Sequence, residues 1–539
     1  MKQKHLHRAL SMFLAAVLCL ALVACGGNST DNTGNTSGGN SSNSSTGSDN
    51  TASGEEKVVI VAASSEPVHF NNNAVSTDAF PSINIFSSLF DMSVTGVIIP
   101  DLVKDYTVSE DGLTYTFNLH ENVTWHDGEP FSSNDVKYTF DTVIQEEGVR
   151  AHNFTTVKEV TCPDDNTVVF TLTDPTPPLL TYLTYVYILP AHLYEGTDWL
   201  DNPANQSPVG TGPFKFVEHN KGTSITLEAN DDYFLGRPEI DKLIYKIIPD
   251  GNTLVQAYLN GEVDIIDVAD AIDPSAMPSM ETLDGTFIDT MISADRQYLV
   301  TNLSEEPWSD LRVRQAVAMC LDRQQMVDLA HKGYAEVAEG FYTPAVAWAY
   351  TDEYTLPERD IEAAQALLDE AGYTPDANGV RIKDVDIVIV QFAAFSDIAT
   401  VLKANLKEIG IEASITSLEY AAWDERCASG DFDIAVIGGY HGPDPDVMRN
   451  RIGDGGAFNY GKYHNDRIEE IFAEAQTEPD QAKRTELYYE MQKIMSEEMP
   501  VMPLTEWCYI LVMPDNFSGH YMVEKETVGS GDYRTLKIN

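Results

Sequence analysis

Residues Asp111 to Phe140 read DGLTYTFNLHENVTWHDGEPFSSNDVKYTF, and their order decides the fold. Tyr115, Phe117 and Leu119 alternate with Thr116 and Asn118, the period-2 pattern of a strand buried on one face. Asp127-Gly128 supplies a turn that reaches positive φ, and Pro130 stiffens its exit. Ser132 followed three residues later by Asp135 predicts a capping box, opening a helix that carries Val136, Phe140 and Val143 on its apolar side. His126 stands beside the turn Asp127. A lone His in that setting is more often a hydrogen-bonded structural group than a catalytic or metal ligand, and that reading is adopted.

Two further stretches carry the same kind of order. Pro208 to Asp250 reads PVGTGPFKFVEHNKGTSITLEANDDYFLGRPEIDKLIYKIIPD, a Gly210-Thr211-Gly212-Pro213 turn leading into a strand pair. These glycines fit no phosphate-cradling motif, and Pro213 lacks the N–H a phosphate would want. From Tyr298 the chain reads YLVTNLSEEPWSDLRVRQAVAMCLDRQQMV, whose apolar spacing predicts an amphipathic helix starting near Asp310. Arg312 and Arg314 read there as structural partners of nearby acids.

Around them strands and helices alternate. Residues 58–62 are a continuous apolar run, suited to a strand covered on both faces. Helices are expected over 360–372, 397–409, 466–476 and 480–498, and strands over 385–392, 411–416 and 432–437. The βαβ order predicts a mostly parallel sheet with helices on both faces.

Taken together, the stretches quoted resemble the dipeptide/oligopeptide class (family 5) of ABC-transporter solute-binding proteins, with matches spaced from Val58 to Thr505. The resemblance implies an α/β fold, a bilobed periplasmic-binding-protein-like clamp of type II with an extra subdomain inserted in the first lobe. Lobe I would comprise residues 57–84, 206–298 and 506–539, the insertion 85–205, and lobe II 299–505. It further implies a monomeric binding protein that closes on a solute and presents it to ABC permease subunits.

The N-terminus agrees with an exported protein. Lys2, Lys4 and Arg8 precede an apolar run over 9–21 that is too short to span a bilayer. Leu22-Val23-Ala24-Cys25 looks like a bacterial lipobox, so residues 1–24 read as a lipoprotein signal peptide and Cys25 as the lipid-modified residue. Residues 25–56 are mostly Gly, Ser, Asn and Thr, a flexible tether of about 30 Å root-mean-square span. The expected location is the outer face of the cytoplasmic membrane of a Gram-positive-like bacterium, with the lipid on Cys25 as the membrane contact.

Composition narrows the function. The formal charge is −50, from 34 Lys and Arg against 84 Asp and Glu, which excludes nucleic acid as a partner because phosphate binding needs clustered cations. No GxSxG elbow, HExxH helix or Cys nucleophile motif is present, so the chain reads as a non-enzyme with no catalytic residues, cofactor or resident metal. Cys162, Cys320, Cys427 and Cys508 lack metal-ligand spacing; Cys320 falls on an apolar stripe as a buried thiol, and one disulfide among the four stays open.

The ligand loop is expected at Gly438 to Gly453, GGYHGPDPDVMRNRIG, after the strand over 432–437. Tyr440 and His441 offer aromatic surface with polar tips, Asp444 and Asp446 bracket Pro445, and Arg449 and Arg451 suit a carboxylate clamp. Gly438, Gly439 and Gly442 would let backbone approach a ligand. Further candidates are His69 and Phe70 after the first strand, Tyr420 and Trp423, and Trp507 near the return to the first lobe. Peptide-binding members of the resembled class carry an Asp for the ligand's ammonium at or near Gly442, where this chain has none unless Asp444 replaces it. A Trp common in that loop is also missing, with Gly439 or Tyr440 in its place. The expected ligand is a short peptide or peptide-like amphoteric solute. Alternatives are a nickel chelate held near His441, Asp444 and Asp446, an oligosaccharide, or a peptide-sensing receptor without transport.

Overall fold

The 111–140 stretch folds as its pattern predicts. The computed structural model describes residues 56–75, 80–146, 148–267, 276–442 and 444–539; the expected signal peptide, Cys25 and nearly all of the expected tether lie outside them. Tyr115, Phe117 and Leu119 are buried on their strand. Ser132 Oγ accepts from the Asn134 N–H at 3.3 Å, and the Ser132 N–H donates to Asp135 Oδ2 at 2.9 Å. Those bonds satisfy donors that a helix start otherwise leaves open.

His126 is structural. Its Nδ1 accepts from the Gly210 N–H at 3.2 Å, which leaves the proton on Nε2, 3.0 Å from the Gly212 carbonyl. Burial pushes the ring down to about 4, so it is neutral. This bolts the hairpin to the Gly210–Gly212 turn, where a Cβ on Gly210 would stand 1.8 Å from the Ile85 carbonyl oxygen. The two glycines are there for close packing of backbone on backbone.

β1 (Val58–Ala63) starts a sheet that the chain leaves and later rejoins. Between, β2 (Val103–Val108), β3 (Thr114–Leu119), helix α1 (Ser133–Gln145), β4 (Val157–Asp164) and β5 (Thr167–Leu172) form an inserted unit, its sheet antiparallel in the order β2-β3-β5-β4. The chain returns with β6 (Phe214–Asn220), β7 (Ser224–Ala229) and β8 (Lys242–Ile247), giving the order β1-β8-β7-β6 with β1 parallel to β8.

The second half holds β9 (Thr286–Thr301), α2 (Leu311–Cys320), β10 (Glu336–Val337), α3 (Ile361–Glu370), β11 (Ile382–Val390) and α4 (Ala393–Glu408). β12 (Ile411–Leu418), α5 (Tyr420–Ser429), β13 (Ile434–Tyr440), α6 (Asp466–Thr477), α7 (Gln481–Glu498) and β14 (Met502–Pro514) follow. Asp310, Asp360 and Asp480 cap α2, α3 and α7 through side-chain oxygens, and Gly372 adopts φ +96° just beyond α3.

The sheet corrects one expectation. Its order is β10-β14-β9-β13-β11-β12, and only β11–β12 and β11–β13 are parallel. β9 pairs antiparallel with both β13 and β14, and β10 with β14, so the sheet is mixed. The cause is a pair of long strands, 16 and 13 residues, that run against each other well beyond the helix-covered part.

Along these two strands the buried apolar side chains change allegiance. Tyr298, Leu299, Val300, Met502 and Leu504 join the core of the second half, whereas Met291, Leu511 and Met513 join that of the first. Between them the contacts are polar: Arg296 lies opposite Glu506 in register, with a guanidinium nitrogen 2.6 Å from Oε1 and both side chains 1% exposed. Arg296 also donates to the Gly340 carbonyl at 2.9 Å. Burial pushes the Glu506 carboxyl up to about 7 against the pull of Arg296.

Cys162, Cys320, Cys427 and Cys508 are free thiols, and burial pushes Cys320 up to about 12. Among the described residues no helix is long and apolar enough to cross a membrane.

Candidate ligand cleft

β13 ends at Tyr440 and β11 at Val390, and a cavity of about 470 Å³ opens where they stop. Seven residues singled out from the sequence line it: Gly438, Gly439, Tyr440, Arg451, Tyr420, Trp423 and Trp507. Asp295, Phe392, Phe395, Asn450, Phe458 and Tyr460 line it as well and were missed. Phe392, which ends the segment expected as a strand over 385–392, has a strand-end position as its signal. Asp295 has none, because it sits in β9 where the register with β14 breaks between Ile292 and Arg296.

The walls are aromatic and partly open. Phe392 is 63% exposed and Tyr420 59%, while Trp423 is buried edge-on against Tyr460, with centroids 5.6 Å apart. From the inserted unit, Tyr185 comes near enough to Tyr440 for the two hydroxyls to influence each other's ionisation, and Arg150 lies 4.9 Å over the Tyr185 ring.

Arg451 is the buried cation of the cleft. It donates from Nε to His441 Nε2 at 3.2 Å and from a terminal nitrogen to the Tyr440 carbonyl at 2.9 Å. Among the described residues no carboxylate forms an ion pair with it. His441 is 2% exposed, and its pKa is driven well down by burial and by Arg451. With Nε2 accepting, its proton sits on Nδ1; this ring supports Arg451 from beneath and presents no face to the cavity.

The other expected residues have internal partners. Asp444 caps the short turn Pro445–Met448 and pairs with Arg484 at 2.8 Å; burial raises its carboxyl against the pull of that cation. Asp446 pairs with Arg449 at 2.9 Å, and Arg449 also donates to the Phe472 carbonyl and lies over the Phe472 ring. The structure thus places neither Asp444 and Asp446 nor Arg449 in the cavity wall, which differs from the expected clamp. His69 and Phe70 are buried in the first half, Phe70 packing on Phe216 at 5.2 Å. Gly438 and Gly439 line the cavity as expected and are small for a second reason as well. A Cβ on Gly438 would stand 2.7 Å from Phe395, and one on Gly439 2.9 Å from Arg451, so the glycines make room for the chain's own side chains. No group of three or more metal-ligating residues occurs among the described residues.

The family profile for bacterial extracellular solute-binding proteins, family 5 (middle), matches residues 97–460. The chain belongs to this family. Family 5 proteins are substrate-binding components rather than enzymes, and the bilobed clamp with its inserted subdomain is their fold. The oligopeptide-binding protein AppA of Bacillus subtilis is 29% identical, over 84% of this chain and 87% of its own. The dipeptide-binding protein of Escherichia coli is 27% identical over 78% and 83%. Among solved structures, the family 5 fold is shared with the ABC transporter substrate-binding protein CtaP of Listeria monocytogenes, at TM-score 0.78 and 26% identity over 90% of this chain and 99% of that one. It is shared equally with NikZ of Campylobacter jejuni in complex with Ni(L-His), at TM-score 0.70 and 26% identity over 89% and 99%. The fold therefore leaves the choice of cargo to the cleft.

Proposed function

We propose that the chain is a membrane-anchored lipoprotein that captures a short peptide or peptide-like solute in the aromatic cleft and delivers it to an ABC importer. The observation that carries the ligand class is a cavity of about 470 Å³ walled by rings and holding Arg451, a buried cation that forms no ion pair among the described residues. Rings supply sequence-tolerant contact area, and a few placed charges fix orientation. The relatives named for oligopeptide and dipeptide binding support the same class.

In this reading the lobes are residues 57–84, 206–298 and 506–539 against 299–505, with 85–205 inserted, and ligand stabilises their closed arrangement. The approach of Tyr185 to Tyr440 supports that reading, since it brings the inserted unit to the cleft wall. A thermal-shift screen of the purified protein against peptide, nickel–histidine and oligosaccharide pools tests the ligand class. Di- to pentapeptides are expected to raise the melting temperature; a shift by either other pool with none by peptides would sink it. For the anchor, labelled palmitate is expected on the protein in vivo and absent from Cys25→Ser.

A further inference from the structure

Asp295 is the acidic group in the cavity wall, and nothing in the fold uses its side chain. Its backbone N–H donates to Ser293 Oγ at 3.0 Å, and its register partner across the sheet is Tyr440. Among the described residues its carboxylate makes no hydrogen bond and no ion pair. Burial raises this carboxyl, and Arg451 is the charged group that pulls it back. Yet Arg451 is spent on the Tyr440 carbonyl and on His441, so it sustains the anion without covering it. The cavity it lines is also walled by Tyr298, Tyr440, Tyr420 and Trp507. A carboxylate in a ring-walled cavity suits an organic ammonium, which gains from both.

We propose that Asp295 receives the free amino terminus of a short peptide, and that the exposed rings beside it take an aromatic or large apolar first side chain. This rests on the peptide reading above and adds a site to it. The resemblance puts the ammonium-binding Asp near Gly442; Asp295 supplies that charge from the neighbouring strand, as the register partner of Tyr440. A protonated α-amine and an adjoining ring are then read together, and peptides with a blocked amino terminus bind more weakly because they leave the half-buried carboxylate without a partner.

Calorimetric titration with Phe-Gly-Gly, N-acetyl-Phe-Gly-Gly and Gly-Gly-Gly decides it. Acetylation is expected to weaken binding about 10- to 100-fold, the loss of one charged hydrogen bond. Asp295→Asn is expected to weaken Phe-Gly-Gly by the same factor and to leave the acetylated peptide unchanged. The unliganded variant should melt with the wild type, which separates affinity from folding. Equal affinity for free and acetylated peptide, or an Asp295→Asn variant that binds Phe-Gly-Gly like the wild type, overturns the site. Gly-Gly-Gly binding as tightly as Phe-Gly-Gly overturns the side-chain preference. Failure of all three peptides, with a shift by nickel–histidine or an oligosaccharide, overturns the peptide reading itself.

Discussion

Arg296→Met is expected to lower the stability of the folded chain by about 3–5 kcal/mol, because it leaves Glu506 buried without its cation. Glu336 lies opposite Glu506 on β10 and supplies a second negative charge, so no neighbour there takes over. The deficit should depend on pH. Glu506 is held up to about 7 in the folded state, above the ordinary Glu value of about 4.3. Folding therefore takes up a proton between those values, and the carboxyl favours the folded state at low pH and costs stability as pH rises through the window. Removing Arg296 pushes the carboxyl higher still and extends that cost above pH 7. Urea midpoints are expected to fall further at pH 8 than at pH 5, and Arg296→Met with Glu506→Leu to recover most of the loss. A single variant within about 1 kcal/mol of the wild type at pH 8 would show that the pair is not what holds the strands together there.

Arg484→Met is expected to cost about the same, about 3–5 kcal/mol, and to separate folding from binding. Arg484 is 6% exposed and Asp444 13%, and the arginine also donates to the Ala475 carbonyl at 3.0 Å and to the Tyr488 hydroxyl at 3.2 Å. Its loss strands Asp444 and frees one end of the turn Pro445–Met448 from α7. Neither side chain lines the cavity, so at a temperature where the variant stays folded its peptide affinity should drop less than about tenfold, or 1.4 kcal/mol. A larger loss with an unchanged urea midpoint would instead make Asp444 a ligand residue, as its position in the loop first suggests.

What the sequence makes legible is what local pattern encodes. The strand, turn and capping box of Asp111 to Phe140 are written within thirty consecutive residues, and the acidic caps of α2, α3 and α7 sit at the residues the periodicity marks. What stays hidden needs partners far along the chain. β9 and β14 pair across the whole second half, so neither the mixed sheet nor the Arg296–Glu506 contact has a local sign. In the loop, Arg449 and Arg451 look equivalent. Two residues along the turn Arg449–Ile452 are rotated by about 200°, which sends one arginine to Phe472 and the other to the cleft. Histidine 441 misleads in the same way, since its burial is set by Ala294, Tyr342 and Arg451 rather than by its neighbours in sequence.

The polar crossing of β9 and β14 has a thermodynamic consequence. Where these strands pass between the apolar cores, the pairs Arg296–Glu506 and Gln297–Thr505 are polar, so a bend confined to those pairs would expose little hydrocarbon from either core. Lobe closure of the kind proposed above, if it bends the chain at those pairs, would have a small heat-capacity signature of its own, because that signature follows apolar surface changing its exposure to water. Heat-capacity change on ligand uptake belongs instead to the dehydration of the cleft's rings. On that proposal the part that moves and the part that grips would be kept in separate thermodynamic accounts.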